Sequence, residues 1–324
     1  MVLEQLFNVK WIENKPRYAF LLGAAYSIVG LISAKLIFGS QVGLMYIAFT
    51  ALLLIPTLNR LLQDEENAEI REKKLSLKLL FKDHRDIFEI YTFLFFGIFL
   101  TSAVLSIILS DTISASSLYR DLSLFLFILV IFSFAFLKAP MTADKKVLIF
   151  SLIVLISLVG MKVLSSSNTL SLFSVQLKST GLVGKAYETS MFSSILKNNI
   201  LVLLACLILS FIYGAGSILF IAWNASAWGT AIGYSTQSAL IENPFISFFQ
   251  TLLPILPHML TEAVSYFSAA IVGGVVSKAV IREKLFSKKF HHIITDALIF
   301  LVLGVILVVL AAYLEVYIFP ILTF

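Results

Sequence analysis

Stretch after stretch of this chain is built almost wholly from Phe, Leu, Ile and Val. Several of these runs reach the roughly 20 residues that cross about 30 Å of hydrocarbon as helix. In lipid no water pairs with exposed backbone, so only helices and closed barrels can span. Barrel strands alternate apolar and polar residues, and these runs do not. The expected fold class is therefore all-α: a polytopic transmembrane helix bundle of about nine spans, with the N-terminus cytoplasmic. Composition agrees, with 59% hydrophobic and 13% charged residues, against about 25% charged in soluble domains.

A net charge of +5 resembles a nucleic-acid signal. The basic residues, however, cluster in loops that the positive-inside rule assigns to the cytoplasm, so the partner expected is the lipid bilayer and not nucleic acid. Cys206 is the single cysteine, which excludes an intramolecular disulfide.

Residues 1–16 lack a cleavable signal and read as an interfacial amphipathic segment, with Leu3, Leu6, Phe7 and Trp11 beside Lys10 and Lys15. An N-terminal five-span region follows over 17–164, with spans near 17–38, 41–62, 87–110, 122–137 and 147–164. Gly39-Ser40 makes a tight turn. The insert 63–86 carries Arg71, Lys73, Lys74, Lys78, Lys82 and Arg85 and is placed inside. Residues 165–191 form an extracytoplasmic Ser/Thr/Gly-rich loop, and 192–324 hold four more spans, near 195–213, 217–235, 247–276 and 295–319. Pro254 and Pro257 interrupt the third of these four. The basic loop from Lys278 to His292 again falls inside. The alternative in which 217–235 is re-entrant puts that loop outside, against the charge rule. The chain shows no convincing internal repeat.

Polar residues at membrane depth are costly and mark the candidate centre. His258 and Glu262 are four apart and share a helix face. The expected topology gathers them with Asn198, Asn199 and Glu315 into one leaflet. Such a cluster is either a polar pocket, proton or metal site, or a set of interhelical hydrogen bonds. Glu315 otherwise snorkels to the interface. Asn224 either lines a solute path or bonds a backbone carbonyl. Gly214 and Gly216 permit a close turn between helices. Ala269, Gly273 and Ser277 recur every four residues, as do Ala270 and Gly274, a pattern that admits a close neighbour: another helix of the chain, or a second copy in a homodimer. No H-E-x-x-H, G-x-S-x-G or Walker A motif occurs, so no catalytic residue, metal ligand set or cofactor is assigned.

The run LKNNILVLLACLILSFIYGAGSILFIAWNASAWGTAIG, then PHMLTEAVSYFSAAIVGGVVS and LAAYLEVYIFP, resembles the stage II sporulation protein M family. The matching positions are Asn198, Asn199, Gly214, Gly216, Asn224, Gly229, His258, Glu262, Gly273 and Gly274, within about Ser193–Phe319. Met259 stands where the family usually has Gly. The first five spans look like the extension of archaeal-type members. The resemblance implies a cell-membrane anchor for an envelope-remodelling machine whose hydrolases are supplied by partner proteins. The function expected is thus a non-enzymatic scaffold that organises membrane or envelope partners. The alternatives are a transporter or channel for a small polar or ionic solute, and a metal-dependent intramembrane hydrolase.

Overall fold

The computed structural model describes residues 12, 15–38, 43–69, 85–108, 185–238, 244–284 and 287–322. Most of the N-terminal segment, the Gly39-Ser40 turn, most of the basic insert and the expected fourth and fifth spans lie outside these residues. Among the described residues the regular structure is entirely helical: α1 (Tyr18–Phe38), α2 (Gly43–Glu69), α3 (Arg85–Ile108), α4 (Lys185–Tyr213), α5 (Ile218–Ser238), α6 (Pro244–Arg282), α7 (Lys288–Tyr313) and a short α8 (Phe319–Leu322). A 3-10 turn (Ala215–Ser217) joins α4 to α5, and a π-helical turn (Leu314–Ile318) joins α7 to α8.

Five helical stretches are long and apolar enough to cross a membrane: Tyr18–Ile37, Arg85–Ile108, Met191–Tyr213, Ile246–Ile281 and Phe290–Ile321. Met45–Asn59 in α2 is apolar but shorter. α5 is one unbroken helix of 21 residues, about 30 Å long at 1.5 Å per residue. Its Asn, Ser and Thr content keeps it out of the apolar set.

Three boundaries differ from expectation. α2 runs seven residues into the insert, to Glu69. α4 starts at Lys185, inside the stretch expected to be loop. α6 is continuous through Pro254 and Pro257. Each proline removes one backbone donor, but one face of the helix is anchored in the core through this stretch: Leu252, Ile255 and Met259 are all buried.

The contacts fix relative directions. Gly229 meets Phe99–Ala103 and Gly233 meets Ala103–Ser106, so α5 and α3 run parallel. Tyr46 faces Ser226 while Asn59 holds Ala215, so α2 runs opposite to α5. Asn199 pairs with Glu262 and Gly273 sits on Leu207–Phe211, so α4 and α6 are parallel. α7 returns along α6, with Gly304 beside Ser265 and Ser268. Trp228 of α5 meets His258 of α6, while Tyr91, two turns before the Phe99 that faces Gly229, meets Phe267, so α5 and α3 run antiparallel to α6 and α4. Ile108 and Lys185 therefore end and begin on the same face of the bundle.

Glycine decides how close the helices come. A Cβ on Gly229 overlaps the Phe99 carbonyl oxygen and lies 2.8 Å from Ser102 Cβ. One on Gly273 overlaps the Leu207 carbonyl oxygen and lies 2.7 Å from Ser210 Cβ. The small-residue stripe of α6 is thus used within the chain, with Ala269 and Ala270 fully buried. Tyr91 and Phe95 of α3 pack on Phe267 of α6, with ring centroids 5.6 Å and 6.0 Å apart. The outward faces carry Leu21, Ile28, Ile32, Leu298, Val302 and Ile306, all exposed. On a soluble protein such faces would invite aggregation; here they are the surface offered to lipid.

Candidate functional site

Glu262 lies near the middle of α6 and is 5% exposed. The hydroxyl of Tyr266, one turn further along the same helix, donates to its Oε1 at 2.8 Å. The amide of Asn199 on α4 donates to Oε2 at 3.4 Å. Asn199 in turn accepts from Asn198 at 3.2 Å. A buried carboxyl needs such donors, because removing it from water costs several kcal/mol unless its oxygens are paired.

A second carboxyl completes this junction. Glu315 is 7% exposed and lies within electrostatic range of Glu262 and Tyr266. It sits in the π-helical turn, a local widening often found at functional sites. Val316 of that turn packs with Ala312 against Ile195 of α4. The wide turn is therefore held beside the helix that supplies Asn199. Glu315 is buried within the bundle, where the snorkelling reading placed it at the interface.

His258 is one turn before Glu262 and is 2% exposed. Trp228 of α5 and Phe319 of α8 meet its ring edge-on, at 5.3 Å and 5.6 Å between centroids. Among the described residues neither ring nitrogen has a hydrogen-bond partner. The structure thus joins Asn198, Asn199 and Glu262 directly, brings Glu315 alongside, adds Tyr266, and sets His258 next to them in an aromatic clamp. Asn224 stays out of this network: its amide donates to the Phe220 carbonyl of its own helix at 2.8 Å. Among the described residues, no three His, Cys, Asp or Glu side chains are grouped to hold a metal ion.

A second polar junction was not anticipated. The Tyr46 hydroxyl of α2 bonds Ser102 of α3 and, at 3.2 Å, Ser226 of α5, with Ser27 of α1 beside it. About 20 Å further along α2, at 1.5 Å per residue, Asn59 Oδ1 accepts from the Ala215 amide at 2.8 Å. That contact seats the α4–α5 break, where Gly214 has φ 64° in the left-handed region that glycine tolerates. Asn59 closes an apolar run, and that position is the signal from which its role was readable. Serine and tyrosine within such runs give no comparable sign.

The model of the family described as stage II sporulation protein M matches residues 90–320, from within α3 through the π-helical turn and into α8. The chain belongs to this family. No curated protein and no solved structure matches it. The matched region includes the whole Glu262 junction and begins well before Ser193, so α3 is part of the family region and α1 and α2 precede it. Apolar helices of spanning length and this family together make the chain a membrane protein.

Proposed function

We propose that this stage II sporulation protein M family member is a non-enzymatic multi-pass scaffold that organises envelope or membrane partners in the cell membrane. The observation that supports this reading is the closure of the polar groups upon one another. Glu262 is taken up by Tyr266 and Asn199, Tyr46 by serines from neighbouring helices, and Asn224 by its own backbone. Groups satisfied in this way hold helices in register. A solute path needs polar groups left open to a cavity, and the cavity between α4, α6 and α7 is lined by apolar residues instead.

The test is crosslinking and affinity purification of the full-length protein from its own membranes. The scaffold reading expects a reproducible protein partner, and flux in reconstituted liposomes no greater than in empty ones. Solute flux that is lost in Glu262→Gln, with no partner recovered, would overturn it. One observation favours a second reading, a path for a small polar or ionic solute: the buried imidazole of His258, one helical turn before Glu262, has no hydrogen-bond partner among the described residues. The flux arm of the same experiment decides for or against it.

A further inference from the structure

We propose that the groove between α4, α6 and α7 is a binding site for one anionic phospholipid, with an acyl chain in the groove and the phosphate held by Lys284 and Lys288 at the facing ends of α6 and α7. The cavity measures about 290 Å³ and is lined by apolar residues, among them Leu207 and Phe211 of α4, Val276 of α6, and Ile294 and Leu298 of α7. That volume is at the lower edge of the roughly 300–1,000 Å³ typical of ligand clefts. Leu298 is 55% exposed, so the groove opens sideways toward lipid. An apolar slot of this kind stays dry, and in a bilayer its natural filling is hydrocarbon.

One end of this slot carries positive charge. α6 ends at Arg282, six residues beyond Val276, and α7 begins at Lys288, six residues before Ile294. At 1.5 Å per residue both ends lie about 9 Å beyond the groove lining, close to the reach of a headgroup whose chain lies between the helices. Lys284 and Lys288 stand at these two ends, with Glu283 between Lys284 and α6. Lys284 and Lys288 are exposed. Basic residues at the end of an interhelical cleft select anionic headgroups, at about 1 kcal/mol each. The lone groove would accept any acyl chain; the adjoining positive charge commits it to an anionic lipid.

The experiment titrates the full-length, delipidated protein in neutral detergent with phosphatidylglycerol or phosphatidylcholine in mixed micelles, and reads bound lipid by native mass spectrometry. The proposal expects saturable binding of one phosphatidylglycerol, tighter than phosphatidylcholine. The double variant Lys284→Gln/Lys288→Gln should weaken phosphatidylglycerol about 30-fold, two cationic residues at roughly 1 kcal/mol each with tenfold per 1.4 kcal/mol, and leave phosphatidylcholine unchanged. Leu298→Trp, which fills the groove from its open side, should weaken both lipids, whereas Val302→Trp, one turn further along α7 and outside the lining, should weaken neither. Equal affinity for the two lipids, or no response to the lysine pair, would overturn the proposal. So would competition by glycerol phosphate as effective as by intact lipid, which would make the site one for a free anion. A lipid-free dimer dissolved by Leu298→Trp would show instead that a second copy fills the groove.

Discussion

Two buried polar junctions, one around Tyr46 and one around Glu262, are built from opposite materials. At Tyr46 every partner is a neutral hydroxyl that can donate and accept. Ser102 donates to the Ile98 carbonyl at 2.8 Å and still offers its oxygen to Tyr46. Such a pin is inexpensive in hydrocarbon and needs nothing else. At Glu262 an ionisable carboxyl faces a second one, and one turn away an imidazole lies buried with neither nitrogen paired among the described residues. Holding helices together does not require groups this costly. The first junction explains how α1, α2, α3 and α5 stay in register. The second combines that task with chemistry in excess of it, and it lies wholly inside the matched family region.

Substitutions can break this contrast, and the largest effect is expected at Glu262. Glu262→Leu leaves the Tyr266 hydroxyl and the Asn199 amide without an acceptor. At about 1–3 kcal/mol per stranded group, unfolding in detergent should become easier by roughly 2–6 kcal/mol, and Glu262→Gln should restore most of that. A Leu variant as stable as wild type would mean that the carboxyl does not hold α4 to α6. Tyr46→Phe comes next, at about 1 kcal/mol. The loss is small because Ser102 keeps its bond to Ile98.

His258→Phe sharpens the comparison from the other side. It keeps a ring between Trp228 and Phe319 and removes two unpaired nitrogens, so stability should hold or rise by up to about 1 kcal/mol while recovery of the protein partner falls. A stability loss as large as that of Glu262→Leu would assign the imidazole to structure alone. The smallest effect belongs to Asn224→Ala, within about 0.5 kcal/mol, measured in the same unfolding assay. Its amide serves only its own helix.

Much of this architecture was legible in the chain. The apolar runs near 17–38, 87–110 and 217–235 foretold α1, α3 and α5 to within about three residues. Alternation of direction was enough to bring Asn199 toward Glu262 before any contact was known. The Tyr46 junction was hidden, because a serine in an apolar run can bond its own preceding turn, as Ser102 does, and its residue type does not announce a second partner. The continuity of α6 was hidden for another reason. Proline reads as a break in an isolated helix, whereas here the core-facing stripe of Leu252, Ile255 and Met259 carries the helix through.

The sequence by itself determined that this chain lives in lipid, that it is helical, and roughly where several of its helices begin and end. Those outcomes depend on summed transfer free energies and on backbone pairing within one segment, both of which are local and readable in order along the chain. Only the tertiary structure decided which polar side chains meet, that Glu315 turns inward and that Asn224 stays with its own helix. Those outcomes depend on the rotation and depth of each helix against its neighbours. Close approaches such as Gly229 on Phe99 set them, and no single segment contains both halves of such a contact.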